Sequence, residues 1–226
     1  MEDCPWSRLG DPVSFPAVKF PVMAGLGLLL LCARPASAQQ SPAPVPSEAL
    51  AGQNVALVPL TLVAADPALE SDSSLYGKYR DRRATLLWAD SLIGDAFTGR
   101  APEVHWVLPP QLRKVARRSP GIVGDPDQMG QAMLRAPGMR ELPDPLRASL
   151  RNLMAVVGGR VAMVPASLGF GRDGQGKVRA DLSLVAADTR SGKVLWRSVA
   201  AGSGATPDEA LRAALASVLP LEPAGP

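Results

Sequence analysis

The sequence predicts a single α/β domain, of the α+β kind, over residues 54–220, in which helices pack on a mixed β-sheet. Three late apolar segments, residues 160–170, 177–187 and 193–201, are joined by short turns that contain glycine. Such short connections favour antiparallel neighbours, so these segments are expected to form a β-meander. Helix-periodic segments precede and follow the meander, and the predicted order is β-α-β-α-α-β-β-β-α.

The first half of the domain alternates strands and helices. Residues 55–63 are continuously apolar, which is typical of a strand covered on both faces, although Pro59 lacks a donor and requires an edge or a bulge. Residues 78–98 carry apolar side chains at helical spacing, and residues 103–108 alternate as a strand does. A short helix is predicted over residues 111–118.

The middle of the chain is less regular. Residues 119–143 are rich in Pro, Gly and Asp and are expected to be mostly loop, with one helical turn near 128–135. Residues 144–157 start with Asp-Pro, continue with a periodic apolar face and predict a clear helix. The last helix is predicted from the capping-box sequence at residues 206–209 and ends before Pro220.

The first 38 residues have the composition of a secretory signal peptide. Residues 22–32 are an apolar run too short to span a bilayer, Lys19 supplies the positive charge, and Ala-Ser-Ala at 36–38 predicts cleavage after Ala38. The acidic residues before Lys19 fit this interpretation poorly, and they favour a start downstream, near Val18. The expected location is therefore the bacterial periplasm or the exterior.

Lipid attachment is disfavoured, because Leu31 rather than a small residue precedes Cys32. Both cysteines, Cys4 and Cys32, lie in the predicted leader, so the mature chain is expected to lack disulfides and thiolate metal sites. Residues 39–53 are Pro- and Ala-rich and predict a flexible linker. Residues 221–226 predict a disordered tail.

Charge and motif content exclude several classes of function. The net charge of +3 gives no case for nucleic acid. Residues 169–174 match G-x-G-x-x-G, but a strand rather than a helix follows, so a hairpin is expected and not a dinucleotide site. His105 is the sole histidine, and we expect it on a strand surface. No catalytic residue, metal ligand or cofactor is predicted.

One helix has a basic face. Arg113, Lys114, Arg117 and Arg118 lie on one side of the predicted helix 111–118. The commonest interpretation of such a face is simple solvation. The functional alternative is contact with an anionic envelope surface, either lipid headgroups or a protein partner.

The most patterned stretch is DTRSGKVLW, residues 188–196, in which Asp188 closes a strand, Gly192 is expected to take a positive φ, and Trp196 re-enters the sheet. A β-propeller would need this unit repeated, and it occurs once. Together with the order of elements, residues 182–204 resemble a group of bacterial envelope proteins that includes the TolB N-terminal domain, CsgG and LpoB. The resemblance implies the fold, whereas channel formation and synthase activation do not carry over with it.

These observations predict an exported, non-enzymatic α/β domain that binds an unidentified envelope partner, with peripheral membrane contact and no transmembrane span in the mature chain. One alternative is an envelope hydrolase that acts on glycan or peptide through carboxylates that the sequence does not single out. Another is a carrier of a small ligand, which would require an internal apolar pocket.

Overall fold

The computed structural model describes residues 42–219 and contains one mixed six-stranded sheet. The strands are β1 Asn54–Leu57, β2 Val63–Ala65, β3 His105–Val107, β4 Val161–Arg172, β5 Val178–Asp188 and β6 Val194–Gly204. Their spatial order is β3-β1-β4-β5-β6, and β2 also pairs with β4. β1 runs parallel to β3 and β4, whereas β4, β5 and β6 form the antiparallel meander that the sequence predicts.

Seven helices of the described part surround this sheet. They are α1 Ser47–Leu50, α2 Pro67–Glu70, α3 Ser73–Tyr76, α4 Arg82–Arg100, α5 Pro109–Arg118, α6 Asp144–Val157 and α7 Pro207–Val218. Short 3-10 turns lie at Gly77–Tyr79, Pro126–Gln128 and Gln131–Arg135. The predicted fold class and order are confirmed, with α1, β2, α2 and α3 as additions.

Each face of the sheet has its own hydrophobic core. Successive residues of a strand point to opposite faces, so Val55 packs into one core and Ala56 into the other. Helices α4 and α7 cover the first face, with Phe97 and Leu211 fully buried there. Helices α5 and α6 cover the second face through residues such as Leu150. Burial on both faces explains why β1 reads as a continuous apolar run.

The first predicted strand is broken in two. β1 ends at Leu57, and the chain returns to the sheet only at Val63. Pro59 lies in the gap, where a proline without an amide proton interrupts no ladder. The Leu60 amide donates to a side chain, Asp90 Oδ1, at 2.8 Å instead of to a strand. The apolar segment 55–63, predicted as one strand, therefore contains most of β1, a connecting segment and the first residue of β2.

The structure differs from the predicted linker at its C-terminal end. The Val45 amide donates to the Val218 carbonyl at 2.8 Å, and Val45 and Leu50 are buried in the first core. Val45 and Leu50 pack here because α7, from the other end of the chain, supplies an apolar surface for them. The sequence around residues 39–53 gives no sign of this contact. The predicted leader, cleavage site and tail lie outside the described residues.

Candidate functional site

A groove lies between the first half of α4, the helix α5 and the loop 119–128 that follows it. Its volume is about 960 Å³. Most of its lining is apolar, with Leu60 at the bottom and Leu86, Leu87 and Val123 on its walls. The groove is partly open to solvent, so it is a surface cleft and not a closed internal cavity.

Leu87 is the most informative apolar residue of this lining. It lies on the outer side of α4, and 48% of its surface is exposed, whereas Ala89 and Ile93 of the same helix are buried in the core. A large exposed leucine next to other apolar side chains is the kind of surface that binding covers. The exposure of Leu87 could be inferred from the sequence, because Leu87 does not lie on the apolar face of its helix.

Arginines form the edge of the groove. Arg82 and Arg83 come from the first turn of α4, and Arg117 comes from α5. The Arg82 guanidinium donates to the Thr61 carbonyl at 2.9 Å. Within residues 42–219 the side chains of Arg83 and Arg117 make no hydrogen bond or ion pair, and both are exposed. We call Arg82, Arg83 and Arg117 the cationic rim.

Arg113 holds the floor of the groove together. Its guanidinium donates to Asp90 at 2.5 Å and to Asp127 at 2.7 and 2.8 Å, so it joins α5, α4 and the turn at Pro126–Gln128. Its side chain is only 16% exposed, and that of Asp90 is 4% exposed. Because Arg113 bridges two carboxylates, its role in the structure is to brace the site.

The environment sets the ionisation of this network. Hydrogen bonds to Asp127 and Asp90 hold the pKa of Arg113 above its ordinary value, so this cation is permanent. Burial raises the pKa of Asp90, while the Leu60 amide and Arg113 act in the opposite direction. The buried Asp90 carboxylate accepts hydrogen bonds from the Leu60 amide and from Arg113, so both of its oxygens have a donor and its ion pair with Arg113 is retained.

The other acidic side chains of the groove are also engaged. Asp125 accepts hydrogen bonds from the Asp127 amide at 3.0 Å and from the Gln128 side chain at 3.2 Å. Asp127 is occupied by Arg113. Among the described groove residues, the charged side chains without any hydrogen bond or ion pair are therefore Arg83 and Arg117, while Asp125 is hydrogen-bonded by neutral groups and keeps its negative charge.

The structure separates the four basic residues that the sequence groups on one helix face. Arg113 turns inward to the carboxylates, and Arg117 lines the groove. Lys114 and Arg118 are exposed and do not line it. The sequence did not single out Arg82, Arg83 or Leu87, because α4 and α5 are separated by β3 and their proximity is a tertiary fact.

The hairpin residues Asp188, Gly192 and Trp196 lie apart from the groove lining. Asp188 is buried, pairs with Arg160, and accepts from the Arg190 amide at 2.9 Å. Gly192 has a φ of 78°, which confirms the predicted positive value. Trp196 packs against the first core, and its indole N–H has no partner among the described residues.

A hairpin joins β4 and β5 near the predicted position, but residues 169–172 belong to β4 and the turn spans residues 173–177. His105 is exposed on β3. Within residues 42–219, no group of three or more His, Cys, Asp or Glu side chains could hold a metal ion. In the same part of the chain, no helix is both long and apolar enough to cross a bilayer.

Comparison with known proteins gives distant structural similarity. No protein-family model matches the chain, and no curated protein is similar to it in sequence. The C-terminal domain of LpoB from Salmonella enterica is 12% identical with a TM-score of 0.39, over 68% of this chain and 84% of that one. A PelC dodecamer from Paraburkholderia phytofirmans is 11% identical with a TM-score of 0.35, over 81% and 96%.

The lipoprotein GNA1162 from Neisseria meningitidis is 14% identical with a TM-score of 0.31, over 67% of this chain and 81% of that one. LpoB, named above for its resemblance, is thus among the similar structures, while likeness to the TolB N-terminal domain and to CsgG is not shown. With all three TM-scores below 0.5, these similarities say nothing about what this chain binds.

Proposed function

We propose that this chain is an exported protein of the bacterial envelope that acts without catalysis, by holding a protein partner in the groove between α4 and α5. The observation that carries the proposal is the open apolar groove with Leu87 exposed on its wall and unengaged arginines at its edge. The predicted leader supports the envelope location.

The shape of the groove favours a polypeptide segment over a small molecule. An open groove between two helices suits an amphipathic helix or an extended segment that lays one apolar face into it. A carrier of a small ligand would instead enclose its cargo, and small-ligand sites typically bury most of the ligand surface. Leu87, 48% exposed, is positioned to be covered by a partner side chain.

The charges around the groove indicate what kind of partner segment it would bind. Arg83 and Arg117 are available, whereas Asp90 and Asp127 share Arg113 and Asp125 caps a turn. A segment that carries acidic residues beside its apolar face would complement this rim. The same engagement counts against the hydrolase alternative, since the groove carboxylates are committed to structural bonds.

The test is site-specific cross-linking in living cells. A photoreactive residue at position 87 should give a discrete adduct with one envelope protein, whereas the same residue at exposed Asn152 of α6 should not. Arg83→Glu combined with Arg117→Glu should reduce the adduct at least about tenfold, because each reversed charge opposes an acidic partner.

The matched control lies on the same helix. Lys114→Glu combined with Arg118→Glu makes an equal change in net charge outside the groove lining and should leave the adduct intact. If both pairs of substitutions weakened the adduct equally, or if the chain instead bound anionic vesicles through Lys114 and Arg118, contact with the membrane surface would replace the groove as the functional interaction.

A further inference from the structure

Within residues 42–219, the sheet ends in a long strand whose outer side is mostly unpaired. β6 is the terminal strand of the order β3-β1-β4-β5-β6, and it spans eleven residues, Val194–Gly204. Its first residues are covered, because Glu141 bridges to Lys193 and the Val194 amide donates to the Arg140 carbonyl at 2.9 Å. Among the described residues no strand or loop pairs with the outer side from Leu195 to Ser203.

The strand has one of the usual protections of an edge, a β-bulge at Leu195, and lacks most of the others. Natural edge strands are commonly shielded by charged side chains, proline or short length. Between 195 and 203 the single charged residue is Arg197, and its guanidinium donates to the Leu134 and Met139 carbonyls of the same molecule. The exposed apolar residues Leu195, at 55%, and Val199, at 54%, remain on the strand.

The free stretch is symmetric about its midpoint. Exposed residues recur at Leu195, Val199 and Ser203, with the half-buried Arg197 and Ala201 between them. In an antiparallel pairing centred on Val199, this valine meets its own copy and Arg197 faces Ala201, and the bulge at Leu195 lies at the end of the regular stretch. No like charges are opposed, so the stretch is complementary to itself under a two-fold axis.

The surroundings of the strand are compatible with this pairing. Helix α7 packs directly on one face of β6, so close that a Cβ at Gly202 would collide with the α7 backbone. That contact covers a face of the strand and leaves its hydrogen-bonding edge open. The segment 140–142, which covers the start of β6, limits the pairing to the stretch whose centre is Val199.

We infer that two copies of this chain associate through antiparallel pairing of β6 with its symmetry mate about Val199, which joins the two sheets into one. The strand pair supplies backbone hydrogen bonds from both chains and covers Leu195 and Val199. This interface is distinct from the groove between α4 and α5, so a dimer would carry two grooves.

Sedimentation of the full chain over a range of concentrations tests the inference first. The parent chain should show a concentration-dependent dimer, and Val199→Lys should weaken it at least about tenfold, since two lysines would face each other at the axis. Val156→Lys, a similarly exposed valine on α6 at 44%, should leave the dimer unchanged. A mixture of Val199→Lys and Val199→Glu chains should restore association that neither chain has alone.

Disulfide trapping tests the register. Directly opposed residues of antiparallel strands have Cβ atoms about 4.5–5.5 Å apart, within reach of a disulfide after a small shift, so Val199→Cys should cross-link under mild oxidation. Leu195→Cys should not, because its symmetry mate lies eight residues along the pair, about 26 Å away. The parent chain controls for Cys4 and Cys32.

A parent chain that stays monomeric at every concentration would overturn the inference, as would a dimer that survives Val199→Lys. Equal cross-linking at 195 and 199 would also overturn it, because no antiparallel pairing about Val199 brings residue 195 to its own copy. Val199→Cys that cross-links to a different protein in place of a second copy would assign the edge to another partner.

Discussion

The two hairpins of the meander use the same turn chemistry in different surroundings. In the turn between β4 and β5, the Asp173 carboxylate accepts from the Gln175 and Lys177 amides, both at 2.9 Å, and Gly176 has a φ of 77°. In the turn between β5 and β6, Asp188 accepts from the Arg190 and Ser191 amides, and Gly192 has a φ of 78°. In each turn an aspartate accepts backbone amides, and a glycine three or four residues later has a positive φ.

Their tertiary contacts differ. A Cβ at Gly176 would meet nothing within 4 Å, whereas one at Gly192 would lie 2.9 Å from Cδ of Arg147 on α6. Asp188 is buried and paired with Arg160, while Asp173 is half-buried at the turn. Local turn residues set the conformation of both hairpins. The second hairpin also packs against α6 at Gly192, whereas the first is tied through Arg172 to Asp72, the residue that caps α3.

The largest difference is expected from valine at the two glycines. Gly176→Val should cost roughly 2 kcal/mol of backbone strain, since a β-branched residue is forced to a positive φ. Gly192→Val also meets the side chain of Arg147, which has to move, and should cost roughly 3 kcal/mol. Urea denaturation measures both, and the milder alanine variants give the same ranking if the valine variant does not fold. Equal losses would contradict the distinction between the two turns.

The next difference is expected from the two aspartates. Asp188→Asn should lose about 2 kcal/mol at neutral pH, because a hydrogen-bonded charge in a buried site is removed. Asp173→Asn should lose clearly less, because its half-buried carboxylate accepts turn amides but forms no ion pair among residues 42–219. The measurement is the urea midpoint of each variant at pH 7, and a larger loss for Asp173→Asn would reverse the comparison.

The stability lost in Asp188→Asn should depend on pH in a defined direction. The Arg160 guanidinium, with the Ser191 and Arg190 amides, holds the pKa of Asp188 well below its usual range. A carboxyl with a lowered folded pKa stabilises fully above its unfolded pKa of about 4 and loses that contribution as the pH falls below it. The gap between the parent chain and Asp188→Asn should therefore be largest above pH 5 and narrow toward pH 2.

The smallest effect is expected at the helix that contacts the second hairpin. Arg147→Ala removes the donor that reaches the Arg190 carbonyl at 2.8 Å and should cost about 1 kcal/mol. The same change removes the atoms that a side chain at Gly192 would meet, so Gly192→Ala should cost less in the Arg147→Ala background than in the parent. A double-mutant cycle by urea denaturation gives this coupling, and additive losses would exclude it.

The meander was predictable because its signals are local. Turn glycines, alternating apolar residues and the sequence at 206–209 specify β4, β5, β6 and α7 from neighbours in the chain. One detail differs even there: the left-handed residue of the first hairpin is Gly176, whereas the predicted turn centred on Asp173 and Gly174. The Thr206 hydroxyl accepts from the Glu209 amide as predicted.

The N-terminal half was less predictable for the opposite reason. Helices α2 and α3 have four residues each, too short to show helical periodicity. The division of the first strand depends on Asp90, thirty residues on, which captures the Leu60 amide. The burial of Arg113 depends likewise on two carboxylates from other elements, so the sequence placed Arg113 on the basic face of its helix together with the exposed residues. The groove follows from these long-range contacts and could not be located from the sequence.

The position of β1 has a consequence for the order in which the chain assembles. β1 is the first strand to be synthesised, yet it lies between β3 and β4, and Val55 pairs with both Trp106 and Val161. Its second neighbour is made roughly a hundred residues later, a contact of high sequence separation. The meander and α7 need only adjacent chain to close. β4 must therefore be in place before β1 can complete its hydrogen bonds, and until then the backbone groups on that side of β1 lack their strand partner.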